Sequence, residues 1–167
     1  MLFIFFFIIA VTGILLGWKN NSNGFILPKT EQGTSIELKN WLPIDSLHKN
    51  ACKIMQDSIA ANISLELDRI DIRKNKGIVK FVFEKHNWEV QLDGATGNLL
   101  HLGKRHSDFI ENLHDGTVLD TLFNTSTKPF KVIYTSIMGL ALLLFTVTGF
   151  WLWYGPKRLK KHRVKNN

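Results

Sequence analysis

The sequence has one cysteine and lacks charge along two stretches. Cys52 has no partner thiol in this chain, so no intramolecular disulfide can form. Residues 2–17 and 132–154 contain no Asp, Glu, Lys or Arg. These two runs are candidate membrane segments, although the chain as a whole has the 45% hydrophobic content of an ordinary soluble domain. The residues between them suffice for one small domain, which excludes a large multidomain enzyme.

Acidic residues are absent outside the middle segment. Residues 18–131 hold all 14 Asp and Glu and 15 of the 21 Lys and Arg, so this segment is nearly neutral. The other six basic residues follow the second apolar run: Lys157, Arg158, Lys160, Lys161, Arg163 and Lys165. A nucleic-acid-binding domain carries its basic residues on the folded part, so we exclude nucleic acid as a partner. A basic cluster beside an apolar run is typical of the cytoplasmic end of a membrane helix.

The second apolar run predicts a transmembrane helix over residues 132–154. Its 23 residues extend about 34 Å as a helix, enough to cross a hydrocarbon core of about 30 Å. Gly155 and Pro156 are expected to end the helix. Residues 155–167 then form a basic cytoplasmic tail.

The first apolar run, residues 1–18, predicts a second transmembrane helix. A cleaved signal peptide is the alternative, but the run has neither a basic start nor a small-residue cleavage site. The missing basic flank also suggests that the natural helix begins before Met1. With two spans, both termini are expected in the cytoplasm and the central domain in the periplasm or outside the cell.

The middle segment begins with a polar linker, residues 19–34, and continues with an amphipathic helix. Asp45 or Ser46 is the expected N-cap. The helix buries one face, made of Leu47, Ala51, Ile54, Met55 and Ile59. Cys52 lies beside that face and is interpreted as a packing residue.

After the helix, the hydrophobic period changes from about four residues to two, which predicts an antiparallel meander. One face of this sheet is expected to bury Phe81, Phe83 and Trp88 under the helix, and the other face to stay in contact with water. Asp93 is interpreted as a turn former. The domain is expected to cover residues 35–104, followed by a juxtamembrane segment, 105–131.

Three stretches of this chain resemble known families. Residues 88–100, WEVQLDGATGNLL, resemble the closing hairpin of a PepSY domain. The tetrapeptide Leu113-His114-Asp115-Gly116 and residues 146–153, TVTGFWLW, resemble the PepSY-associated transmembrane family, which includes iron-regulated membrane proteins. The fold class is therefore membrane α-helical, with two transmembrane helices, plus a small extracytoplasmic α+β PepSY-like domain with an antiparallel sheet.

The resemblance implies a bacterial inner-membrane protein that acts as an accessory or binding module, linked to iron, siderophore or haem handling. Two alternatives stay open: a subunit of a haem-containing membrane reductase, and a membrane-tethered module that modulates a protease. The expected partners are the lipid bilayer and either a second copy of the chain or another membrane protein.

Histidines are the candidate cofactor ligands, because the resemblance implies haem bound by histidines at helix ends. None of the six histidines lies within either apolar run. His114 matches the Leu-His of the family, and His106 lies eight residues earlier on a predicted helix, rotated by about 80°. Both could therefore contact one haem or iron chelate, although solvated polar side chains near the headgroups are the alternative. The family's histidine in a basic stretch before the first span is missing here.

The sequence contains no catalytic motif of the common kinds. It has no G-x-S-x-G, H-E-x-x-H, Walker-type loop or cysteine pair. We therefore predict no catalytic residue and no metal site, and a redox role rests on the family resemblance alone. A Val-Thr-Gly triplet occurs in both apolar runs, at Thr12 and Thr148, which suggests internal duplication.

Overall fold

The computed structural model describes residues 2–125 and 127–165 and divides the chain into two compact units. One, the helical unit, comprises Met1–Thr12 and Asn112–Asn167, and the other, the sheet unit, comprises Gly13–Glu111. The described helices are α1 (Leu2–Gly17), α2 (Ile44–Ser58), α3 (His106–His114), α4 (Thr117–Leu122) and α5 (Pro129–Lys165). The strands are β1 (Leu67–Arg73), β2 (Ile78–Phe83), β3 (Trp88–Asp93) and β4 (Leu99–Lys104).

The sheet unit contains the antiparallel sheet that the sequence predicts. Its strand order is β1-β2-β3-β4, with each strand paired to the next along the chain. Because side chains alternate along a strand, Phe81, Phe83 and Val90 point to one face, where they pack against α2. Leu47, Ala51 and Met55 form the buried side of that helix.

The start of α2 differs from the prediction. Pro43 is the N-cap, so the expected capping by Asp45 or Ser46 is wrong. Proline is tolerated at this position because its ring restricts φ to a value close to the −55° of Pro43, and the N–H that it lacks has no acceptor at a helix start. Asp45 lies in the first turn instead, where its carboxylate pairs with Lys49 at 2.7 Å on the surface. A negative charge is favourable there because the N-terminus of a helix is partly positive.

The expectation that the second face of the sheet contacts water is wrong. Every residue of β2 is buried, including those that point away from α2. Residues 26–34, which belong to the predicted linker and which we call the strap, contact this second face. Ile26 and Pro28 in the strap are themselves buried. Sequence alternation missed this layer because the strap has no regular secondary structure or hydrophobic period.

Side chains of the sheet hold the strap by its backbone. The Gln91 amide donates to the Lys29 carbonyl at 2.7 Å and accepts from the Glu31 N–H at 3.0 Å. Asp93 accepts from both the backbone N–H and the hydroxyl of Thr34. Such pairing satisfies polar groups that burial would otherwise leave without partners.

Asp93 also forms the turn after β3, as the sequence predicts. Its carboxylate accepts the backbone N–H of Ala95 at 2.8 Å. Burial alone would raise the pKa of Asp93, but the hydrogen bonds from Ala95 and Thr34 outweigh it and hold this pKa below its ordinary value. The carboxylate therefore stays ionised and serves as a structural acceptor.

A buried ion network extends across the second face. Glu89 is fully buried, and its carboxylate accepts from Lys80 at 3.1 Å, from Gln91 at 2.7 Å and from Arg105. Burial lowers the pKa of Lys80 although Glu89 opposes this effect. Arg105 also forms an ion pair with Asp108, on the first turn of α3, at 3.0 Å. The network thereby fixes the beginning of α3 to the sheet.

Among the described residues of the helical unit, one helix is long and apolar enough to cross a membrane. This candidate span is Pro129–Gly155 within α5, with only 6% of its most apolar window buried in the protein. The apolar part of α1, Phe3–Gly17, is shorter than a span of ordinary length. The expected helix break at Gly155 and Pro156 is wrong, because α5 continues to Lys165. A proline removes one backbone hydrogen bond, which can bend a helix without ending it.

We predict that Phe81→Ala lowers the free energy of unfolding of the sheet unit by about 3–5 kcal/mol, because the ring is fully buried against α2. Trp88→Ala should cost less, since Trp88 is only half-buried and has Lys104 over its ring. Hydrogen exchange of the β2 and β3 amides in the full-length protein measures both losses. Equal losses would contradict this assignment of the two rings.

Candidate functional site

The candidate site surrounds His114, the last residue of α3. Its Nδ1 lies 2.9 Å from the hydroxyl oxygen of Thr12 on α1. Thr12 is only 4% exposed, whereas the His114 ring is half-buried. The apolar run at the start of the chain therefore contributes a polar contact to the histidine of the Leu-His motif.

Counting protons assigns the direction of this hydrogen bond. The Thr12 hydroxyl is 2.6 Å from the Ile8 carbonyl, which can only accept. A hydroxyl has one proton, so Thr12 donates to Ile8 and must accept from His114. Nδ1 of His114 then carries the proton, and in the neutral ring the lone pair is on Nε2. That is the form in which a histidine binds a metal through Nε2 while its other nitrogen is hydrogen-bonded.

Asp115 organises the chain directly after His114. Its Oδ1 accepts the backbone N–H of Thr117 at 3.0 Å and the Thr117 hydroxyl at 2.6 Å, at the start of α4. Its Oδ2 pairs with Lys131 of α5 at 2.5 Å. Burial alone would raise the pKa of Asp115, but hydrogen bonds from Lys131 and Thr117 lower it below the ordinary value. Asp115 is thus a structural anion that joins α4 to α5.

Gly116 completes the tetrapeptide by allowing a sharp turn and a close approach. Its φ is +79°, in the left-handed region that disfavours side chains. A Cβ at this position would lie 2.7 Å from the ring of Tyr134. The glycine is therefore required by the packing of this segment against α5.

Asp120 on α4 caps the first turn of α5. Its carboxylate accepts the backbone N–H groups of Phe130 at 3.0 Å and Lys131 at 2.7 Å, and the hydroxyl of Thr125 at 2.7 Å. Burial would raise the pKa of Asp120, but these three hydrogen bonds lower it. The free N–H groups at a helix start need such an acceptor, most of all where the helix enters a membrane.

Aromatic rings connect α1 to α5 within the helical unit. Phe5 meets Tyr134 edge to face with ring centroids 6.2 Å apart, and Phe6 meets Phe145 at 5.3 Å. Such pairs add to the packing of apolar helices. These ring contacts join α1, the helix that carries Thr12, to α5.

The two predicted ligands differ in their surroundings. His106 is the first residue of α3 and stacks on Phe25 of the sheet unit at 5.8 Å, whereas His114 belongs to the helical unit. Whether either binds haem or an iron chelate stays a prediction.

Two other histidines, His48 and His86, have structural contacts within the sheet unit. His48 lies 3.3 Å from Cys52 and stacks on Phe81. His86 contacts the Ser64 carbonyl through Nε2 at 2.9 Å. Burial raises the pKa of the Cys52 thiol, which keeps it protonated. The side chain of His162 lies outside the described residues.

Several residues of the site were not found from the sequence. Thr12 appeared only as part of a repeated triplet, and its counterpart Thr148 is exposed, with its hydroxyl bonded to the Leu144 carbonyl at 2.8 Å. Asp115 was noted only as a member of the Leu113–Gly116 tetrapeptide, with no role of its own, and Asp120 was not singled out. The signal for Asp120 was its position shortly before an apolar run. Within the described residues, no group of three or more His, Cys, Asp and Glu could hold a metal ion.

We predict that Asp120→Ala accelerates hydrogen exchange at the Phe130 and Lys131 amides, because both lose their acceptor. Asp57→Ala on the exposed end of α2 is the matched control and should leave this turn unchanged. Mass spectrometry of the full-length protein in detergent measures the exchange. Unchanged exchange in Asp120→Ala would show that another group caps α5.

No curated protein and no solved structure matches the chain. A family model described as the PepSY-associated TM region matches residues 1–167, which is the whole chain. The expected resemblance is thereby confirmed, and the protein belongs to the PepSY-associated transmembrane family.

Proposed function

We propose that this membrane-associated PepSY protein is an accessory binding module whose ligand, haem or an iron chelate, is held by the imidazole of His114. The hydrogen-bond direction at Thr12 supports this proposal most strongly. It leaves the Nε2 lone pair of a half-buried imidazole without an assigned hydrogen bond among the described residues. Both ligands present an iron centre, and imidazole nitrogen is a common ligand of iron.

His114 would hold haem through the Nε2 nitrogen of its imidazole. Thr12 would act as the outer partner that orients the ring. Haem bound there would supply one-electron redox chemistry. The chain's own contribution is to hold Nδ1–H on Thr12, so that Nε2 is the nitrogen available for iron.

A second candidate function is a subunit of a haem-containing membrane reductase. A bis-histidine site needs two imidazoles, and His114 is the single histidine of the helical unit with a described side chain. The second imidazole would come from another copy of the chain or from another membrane protein.

For the membrane, we propose two spans, α1 and α5, with both termini in the cytoplasm and the sheet unit outside it, at a bacterial inner membrane. The six Lys and Arg after residue 156 support a cytoplasmic C-terminus. The contacts of Phe5 with Tyr134 and of Phe6 with Phe145 support a place for α1 beside α5 in the bilayer.

We predict that a reporter active only in the periplasm is silent when fused after Asn167 and active when inserted near Asn124. The reason is that α5 separates these positions and the basic tail stays inside. A cytoplasmic reporter at the same two positions is the control and should give the reverse pattern. Activity of the periplasmic reporter after Asn167 would refute this orientation.

We predict that the purified protein in detergent gives a Soret band on addition of haem, and that His114→Ala abolishes it. His86→Ala is the matched control, since it also removes a half-buried imidazole but lies in the β2–β3 turn. Circular dichroism checks that each variant is folded. A full Soret band in folded His114→Ala would rule out His114 as the ligand.

The role of Thr12 is tested by a pair of variants in the same titration. Thr12→Val keeps the shape of the side chain but removes the acceptor, so haem affinity should fall about 10- to 100-fold. Thr12→Ser keeps the hydroxyl and should retain most of the affinity. Equal affinities of the two variants would show that the hydrogen bond does not orient His114.

A further inference from the structure

The short helix α4 has its polar and apolar sides reversed relative to a helix in water. Its buried residues are Thr117 and Asp120, the latter only 2% exposed. Its exposed residues include Leu122 at 72% and, directly after the helix, Phe123 at 65%. A water-facing helix buries its leucines and exposes its aspartates, so this arrangement indicates an apolar surrounding.

The exposed apolar residues form one continuous face. On a helix with 100° between residues, Leu119, Leu122 and Phe123 lie within about 100° of the circumference, and Thr117 and Asp120 lie on the opposite side. We call Leu119, Leu122 and Phe123 the elbow face. In the described part of the helical unit, Leu122 and Phe123 keep most of their surface exposed, which would be costly in water.

Two contacts attach the elbow face to the beginning of the membrane span. The Phe123 ring stacks on Phe130 in the first turn of α5, with centroids 4.9 Å apart. Asp120, on the buried side of α4, accepts the N–H groups of Phe130 and Lys131. The elbow face therefore has a fixed position relative to the end of α5 from which the span starts.

The length of the span indicates where this end lies. The 27 residues of Pro129–Gly155 extend about 40 Å, whereas the hydrocarbon core is about 30 Å thick. The excess places the ends of the span in the headgroup regions if the helix is not strongly tilted. The elbow face is then at the depth where interfacial helices insert their apolar residues.

We propose that the elbow face is a lipid-binding surface, inserted at the boundary between headgroups and acyl chains of the leaflet that α5 enters at Pro129. Its occupant is phospholipid, because the face is continuous with a helix that the bilayer surrounds. The insertion goes beyond haem or iron binding and does not depend on it. It would fix the depth of α5 and, through Asp115 and Lys131, the depth of the segment after His114.

Single-cysteine labelling in nanodiscs tests this proposal, since Cys52 is the one native cysteine. In a Cys52→Ala background, Leu122→Cys and Phe123→Cys are labelled with an environment-sensitive fluorophore. Thr121→Cys, on the same helix but one residue away from the elbow face and also exposed, is the matched control. The nanodiscs contain phosphatidylcholine and phosphatidylglycerol, with doxyl-labelled phosphatidylcholine as the lipid quencher and iodide as the aqueous quencher.

The expected result is blue-shifted emission at positions 122 and 123, quenching by doxyl groups near the headgroup, and loss of most iodide quenching relative to position 121. Iodide quenching equal to that at position 121 would place the elbow face in water and overturn the proposal. Shielding from both iodide and doxyl lipid would mean that protein covers this face, which overturns it as well. Circular dichroism and two independent label positions guard against a local folding defect.

Discussion

The buried carboxylate of Glu89 is the group on which the second face of the sheet depends. A charge removed from water is tolerated only when donors surround it, and here Lys80, Gln91 and Arg105 provide them. Gln91 also holds the strap, and Arg105 also holds Asp108 of α3. One carboxylate therefore links the sheet to both the strap and α3.

In the helical unit, two other carboxylates also serve as acceptors for groups that would otherwise lack partners. Asp115 and Asp120 accept the N–H groups that α4 and α5 leave free at their starts, and Asp115 also neutralises Lys131. Because helix N-termini are partly positive, these anions are placed where electrostatics favours them. The polar side chains of α4 thus face inward and its apolar side chains face outward. This arrangement is favourable in a bilayer and unfavourable in water.

The regular elements of the fold could be predicted from the sequence, because hydrophobic period reports directly on a half-buried helix or strand. Phe81 and Leu47 were recognised as core residues in this way. The strap could not be, since Gln91 and Asp93 hold it through backbone groups that leave no pattern in side-chain type. Thr12 was missed for a different reason: a hydroxyl in an apolar run has many uses, and its pairing with His114 spans about a hundred residues of sequence.

The tight contact of Gly116 with Tyr134 bears on how the Leu-His-Asp-Gly tetrapeptide should be interpreted in related chains. Both its aspartate and its glycine are explained here by the packing of α4 and α5, with no ligand involved. In a related chain, the aspartate and glycine of this tetrapeptide would therefore indicate the turn that leads into α4, and they would not by themselves indicate a bound ligand.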